Sequence, residues 1–307
     1  MIALIILGAL AILVLLAALG CYFKTFYSWK KAPDELPDRE ELKAAALATA
    51  DLAAELEALP FEGVEITAFD GVRLFGRYYH FQDGAPLQIQ FHGYKGTAYR
   101  DFCGGHYLAR KNGFNVLLVD HRAHGNSGGK TISFGVRERK DCLAWANYAF
   151  HRFGEDTPIV LAGISMGAAT VLGASELDLP KTVVGVIADC PFSKPSGSIK
   201  VVIKSMGFPV ALAYPLVWLG ARIFGRFSID SATPLSAITN AKVPVLLIHG
   251  KADKLVPYSM SEELHAAANG KATLHGFEGA GHGVSYLIDP QKYERVVLDF
   301  LKTQCKL

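Results

Sequence analysis

The sequence predicts an α/β protein: a mostly parallel, eight-stranded sheet flanked by helices, with a small helical lid and an apolar N-terminal helix. Three observations carry this expectation. From Leu87 onward, short apolar runs rich in β-branched residues alternate with longer helical patterns, an order that implies right-handed crossovers and parallel strands. One run, residues 158–162, passes directly into Gly163-Ile164-Ser165-Met166-Gly167 and then a helix of small residues. Such a junction turns sharply, needs glycines on both sides and exposes the serine at its tip. Finally, residues 2–23 contain no charged side chain.

That N-terminal run of about 22 residues spans roughly 33 Å as a helix, enough for a bilayer core. No basic residue precedes it, unlike a cleaved signal peptide, and Ala18-Leu19-Gly20-Cys21 departs from the usual lipoprotein order. A retained single-pass anchor is therefore expected over residues 1–24. Lys24, Lys30 and Lys31 follow it, so the remainder is expected on the cytoplasmic side.

Residues 25–60 are expected to hold a linker and one amphipathic helix. Residues 33–37 are acidic and contain proline, and Asp38-Arg39-Glu40-Glu41 has the form of an N-cap with a glutamate three residues on. Leu42, Leu47, Leu52, Leu56 and Leu59 then recur in a loosely helical pattern until Pro60; too few heptads are present for a coiled coil.

Residues 61–81 read as a hairpin around Asp70-Gly71. Strands are expected near 87–91, 114–119, 159–163, 183–188, 245–248 and 272–277. Helices are expected near 99–112, 136–153, 166–176, 259–268 and 290–302. An insertion at about 191–241 exceeds an ordinary connection and carries Phe208, Tyr214, Trp218, Phe224 and Phe227. It is expected to form a lid lining an acyl pocket above the carboxyl ends of the strands. A helix packed on the body and a surface touching the bilayer are the alternatives.

Composition narrows the class. The net charge is +2 across 307 residues, with no basic stripe, which argues against nucleic-acid partners. Cys21, Cys103, Cys142, Cys190 and Cys305 are scattered without a Cys-x-x-Cys pair, which argues against a disulfide framework or a zinc site. No metal and no organic cofactor is expected.

An activated serine needs a base, the base needs an orienting acid, and the oxyanion needs two donors. His282 lies in Gly279-Ala280-Gly281-His282-Gly283, and Asp253 follows the apolar strand 245–248. The backbone N–H groups of Met166, at the helix start, and Tyr94, in His92-Gly93-Tyr94-Lys95-Gly96, form the candidate oxyanion pair. Asp189, at the end of an earlier strand, is the rival acid. His92, His121, His124 and His249 are read as structural.

With these motifs in place, residues 61–307 resemble the α/β-hydrolase fold superfamily. Asp120-His121-Arg122-Ala123-His124-Gly125-Asn126-Ser127-Gly128-Gly129 resembles the loop after a central strand in that superfamily. With Thr131-Ile132-Ser133-Phe134-Gly135, it makes the chain most similar to membrane-anchored bacterial hydrolases of the serine-aminopeptidase-like and acyl-esterase group. The resemblance places Asp253 ahead of Asp189, because Gly250-Lys251-Ala252-Asp253-Lys254-Leu255-Val256-Pro257 has the family's Gly-x-x-Asp-x-x-Val-Pro form. It implies a serine hydrolase that cleaves carboxylic esters of a small-molecule acyl substrate through an acyl-enzyme. Peptidase, thioesterase and lysophospholipase chemistry are variants, and a non-catalytic ligand-binding protein on the same fold is the contrasting class. A single acidic residue in the insertion, Asp230, favours neutral esters over substrates bearing an amine.

Overall fold

The computed structural model describes residues 1–28 and 40–307. Lys30, Lys31, the segment 33–37 and Asp38-Arg39 lie outside the described residues. The first helix, α1 (Ile2–Thr25), is long and apolar enough to cross a membrane. Two short helices follow, α2 (Glu40–Ala48) and α3 (Ala50–Ala58), where one was expected. The break falls at Thr49, whose hydroxyl donates to the Ala45 carbonyl oxygen at 2.9 Å; such back-bonding bends helices.

The hairpin is β1 (Glu62–Thr67) and β2 (Arg73–Tyr79), paired antiparallel with Val64 opposite Gly76. The alternating body then runs β3 (Leu87–Phe91), α4 (Ala98–Lys111), β4 (Asn115–Asp120), α5 (Glu138–Phe153), β5 (Ile159–Ile164), α6 (Met166–Ala174) and β6 (Val183–Asp189). Three helices form the insertion: α7 (Pro195–Ser205), α8 (Val210–Ile223) and α9 (Pro234–Thr239). The body resumes with β7 (Val245–Gly250), α10 (Ser259–Ala267), β8 (Ala272–Phe277), a short α11 (Ser285–Ile288) and α12 (Pro290–Phe300), which ends in a π-helical turn, Leu301–Cys305.

The eight strands form one sheet in the order β1-β2-β4-β3-β5-β6-β7-β8. β2 pairs antiparallel with β1 and β4; every other pairing is parallel. The expected mostly parallel eight-stranded sheet is thus what forms. Helices cover both faces, so the central strands are apolar on both sides. Along β4, Leu117 and Val119 point into a core with Trp145, Val171 and Leu247. Val116 and Leu118 point the other way, toward Phe102, Leu108, Val297 and Phe300, as the two-residue period of a strand requires.

A third apolar cluster lies at the carboxyl ends of the strands and joins Tyr22 and Phe26 to Phe134, Met166, Phe192, Val217, Ala221 and Phe227. Residues 25–28 therefore depart from the expected linker. Ile132 N–H donates to the Phe26 carbonyl at 2.7 Å and Ser28 N–H to that of Lys130 at 2.9 Å, so the chain is part of the body as far as Ser28. The cause is local: Phe26 packs edge-on against both Phe134 and Phe227, which buries it completely.

Candidate functional site

Ser165 stands between β5 and α6 with φ +55°, a conformation that a side chain rarely adopts. The neighbouring glycines are steric necessities. A Cβ on Gly167 would sit 1.8 Å from the Phe91 carbonyl oxygen, and one on Gly163 would sit 2.2 Å from that of Gly167. The turn is held by Ser165 N–H donating to the Asp189 carbonyl at 2.8 Å and Ala169 N–H donating to the Ser165 carbonyl at 3.0 Å.

The structure brings Ser165, His282 and Asp253 together from three separate connections. The Ser165 hydroxyl lies 2.8 Å from His282 Nε2, and His282 Nδ1 lies 2.7 Å from Asp253 Oδ2. Because the carboxylate only accepts, Nδ1 carries the proton and Nε2 is left to accept from serine. Asp253 is buried and held by further donors. Leu255 and Val256 N–H both reach Oδ1 at 2.8 Å, and His249 Nε2 lies 3.2 Å from Oδ2. Burial raises its pKa, but hydrogen bonds from His249 and His282 outweigh that and hold the carboxyl below its ordinary value.

Asp189 is placed differently. Tyr293 donates to its Oδ2 at 3.0 Å, its Oδ1 has no partner among the described residues, and burial raises its pKa to about 6. Among the described residues Asp253, and not Asp189, is hydrogen-bonded to His282.

The loop carrying Tyr94 lies against the serine: a Cβ on Gly93 would sit 3.5 Å from Ser165 Cβ. Neither Tyr94 N–H nor Met166 N–H has an acceptor among the described residues. Two histidines brace this loop as neutral rings. His121 N–H donates to His92 Nε2 at 3.1 Å, so Nδ1 carries the proton to the Gly93 carbonyl at 2.8 Å. Lys95 N–H donates to His124 Nε2 at 3.0 Å, leaving Nδ1 to donate to the Arg122 carbonyl at 2.9 Å. Burial pushes the pKa of His92 down, which suits its role as a neutral ring.

Sequence reasoning missed two supports. Asp101 on α4 accepts Gly93 N–H at 2.9 Å; its only sequence signal is an acid in the first turn of a helix that follows the loop. His249 is expected to be structural, and its contacts make it the clamp on Asp253. Its Nε2–H faces both Asp253 and the Val256 carbonyl oxygen at 2.9 Å, while Nδ1 lies 2.6 Å from the Ser261 hydroxyl.

A cavity of about 400 Å³ opens beside Ser165 and His282. It runs past Asp189 and Tyr293 to Leu108, Phe114 and Leu301, and to Ala45 of α2 and Thr49 just after it. The expected aromatic lining from the insertion is absent: Val202 of α7 is its one contribution. Phe227 packs on Phe26, Phe224 packs near Tyr22, and Phe208 and Trp218 are exposed. The cavity instead lies on the α4 and α12 face of the sheet, where α2 closes over it.

Cys190 Sγ, Asp253 and His282 are the one donor set among the described residues compact enough for a metal ion, with ligand atoms within 4.8 Å of one another. Two of the three are already bonded to each other, and burial raises the Cys190 thiol well above its ordinary pKa, which opposes the thiolate a metal requires.

This elbow, the eight-stranded sheet and the Ser165–His282–Asp253 contacts have the architecture of an α/β-hydrolase fold, and comparison with known proteins agrees. The alpha/beta hydrolase family profile matches residues 91–296, and the chain belongs to that family. YqkD of Bacillus subtilis (strain 168) is 31% identical over 190 residues, which is 62% of this chain and 62% of that protein. The chain thus spans under two thirds of that relative's length. The lysophosphatidylserine lipase ABHD12 of Danio rerio is 23% identical over 235 residues, covering 72% of this chain and 59% of the lipase. Among solved structures, the Pyrococcus furiosus esterase Pf2001 superposes with a TM-score of 0.67 at 24% identity, covering 92% of this chain and 98% of the esterase.

Proposed function

We propose that this protein is a membrane-anchored serine hydrolase that cleaves carboxylic esters through an acyl-enzyme. The observation that carries the reading is the unbroken relay of 2.8 Å and 2.7 Å from Ser165 through His282 to Asp253, beside a cavity of about 400 Å³. In this mechanism His282 Nε2 takes the hydroxyl proton as Ser165 Oγ attacks the acyl carbonyl. Asp253 fixes the tautomer and stabilises the imidazolium. Tyr94 and Met166 N–H receive the developing oxyanion, each donor worth about 3 kcal/mol in comparable sites. His282 then protonates the departing alcohol, and water repeats the cycle to release the acid.

The cavity supports an extended acyl group. It is lined by Leu108, Phe114, Val297 and Leu301, and α2 covers it with the small residues Ala45 and Ala46. A single-chain amphiphilic ester fits this shape, in keeping with the lipase named among the relatives. The anchored reading rests on the apolar length of α1, with Lys24 at its end favouring a cytoplasmic body.

The test is a p-nitrophenyl ester series, acetate to palmitate, on the detergent-solubilised full chain, with Ser165→Ala as control. Serine-dependent turnover that favours medium or long chains is expected. Absence of turnover on every ester, with Ser165 unreactive to a fluorophosphonate, would favour a ligand-binding protein.

A further inference from the structure

The exposed apolar face of the insertion has no role in the site just described. Phe208, Leu212, Trp218 and Ile223 are 55%, 72%, 44% and 45% exposed. They belong to α8 and the turn before it, and the other side of α8 packs on the end of α1. Gly220 makes that packing close: a Cβ there would lie 2.6 Å from the Ala18 carbonyl oxygen. Small residues at a helix crossing allow such approach.

The depth of this contact follows from helix geometry. Residues 2–17 of α1 are all exposed, and burial begins at Ala18. Those residues span about 24 Å, short of the roughly 30 Å of a hydrocarbon core. A bilayer around α1 therefore reaches a further ~6 Å, to about Tyr22. That is the level at which α8 is docked.

Charge completes the surface. Between Asp189 and Asp230 the chain has five basic residues, Lys194, Lys200, Lys204, Arg222 and Arg226, and no acidic one. All five are exposed, as is Lys24. Exposed apolar side chains in a segment that also carries exposed cations, with a tryptophan among them, fit the headgroup zone of an anionic bilayer.

We infer that α8 and its preceding turn are a second membrane-binding surface, seated in an anionic lipid interface beside α1. The inference rests on the anchored reading above. It also places the cavity at the lipid surface: Tyr94 and Lys95, which line it, donate to the carbonyl oxygens of Thr25 and Lys24 at 2.7 Å and 2.9 Å.

The experiment uses the full chain in phosphatidylcholine vesicles with and without phosphatidylglycerol, some lipids brominated at a shallow acyl position. The difference between wild type and Trp218→Phe isolates the emission of Trp218. Blue-shifted emission, at least half of it quenched by the bromolipid, is expected. Lys200→Glu/Lys204→Glu/Arg222→Glu should reduce that quenching and the hydrolysis of vesicle-borne ester severalfold in anionic vesicles, leaving hydrolysis of p-nitrophenyl acetate unchanged. Release of the full chain by alkaline carbonate overturns anchor and surface together. Retention with Trp218 unquenched and open to acrylamide overturns the surface alone. Shielding of Trp218 in lipid-free detergent, with cross-linked dimers, assigns the face to a second copy and also overturns it.

Discussion

Replacing Asp253 by asparagine tests the proposed relay at its most informative point, because the structure dictates how the new amide would sit. Oδ1 accepts two backbone N–H groups at 2.8 Å, so the asparagine oxygen takes that place and the NH₂ replaces Oδ2. It then points a donor at His282 Nδ1, 2.7 Å from Oδ2 in the native protein. The imidazole answers by moving its proton to Nε2, where it can no longer accept from Ser165. Tautomer inversion of this kind costs about four orders of magnitude in kcat in a comparable triad, equivalent to roughly 5.5 kcal/mol of transition-state stabilisation. Asp189→Asn leaves the relay untouched and should cost less than about tenfold. The assay is kcat/KM on a p-nitrophenyl ester with fluorophosphonate titration of active sites, both variants measured as the full chain. Equal losses, or a larger loss in Asp189→Asn, would refute the assignment of the acid.

Further outcomes follow from other contacts. The pKa of Asp189 is raised by burial from 3.8 to about 6, so the folded state holds this proton more tightly than the unfolded chain. Its stabilising contribution is full below the unfolded value and is lost as pH rises through about 6, a loss on the order of 3 kcal/mol. The melting temperature of Asp189→Asn relative to wild type should therefore climb between about pH 4 and 7 and then level; a flat difference would contradict it. Gly220→Val should destabilise the full chain by about 1–3 kcal/mol through the crowded α1–α8 contact, read as a fall in melting temperature; an unchanged value would show that the helices separate freely. Gly167→Ala should abolish fluorophosphonate labelling, because its Cβ would lie 1.8 Å from the Phe91 carbonyl oxygen; normal labelling would mean the elbow tolerates side chains. A reporter fused to the C-terminus should behave as cytoplasmic, and periplasmic activity would reverse the proposed topology.

The parallel strands were legible because each is a short apolar run between turn residues. The expected 87–91 and 272–277 coincide with β3 and β8, and the others differ by a residue or two at their ends. Ser165, Asp253 and His282 were legible because glycines mark the turns that carry them. What sequence could not convey was contact between distant segments. Asp101 and His249 look like an ordinary helix-start acid and a strand-end histidine until folding brings Gly93 and Asp253 to them. The destination of the insertion's aromatics is hidden in the sequence for the same reason. Apolar composition says that a side chain avoids water, yet not whether it turns to a cavity, to α1 or to lipid. The break at Thr49 is not visible in the sequence because its cause is one hydroxyl competing for a backbone carbonyl.

The seam between Phe26–Ser28 and Lys130–Ile132 removes slack. A domain tied to a membrane by a flexible leash tumbles through a hemisphere and meets its target from any angle. Here the chain is stitched to the body within three residues of the end of α1, so an anchored body keeps one tilt and one height. Its encounters are then confined to two dimensions. Turnover should track the mole fraction of ester within the bilayer and fall when inert lipid dilutes it, even at constant bulk concentration.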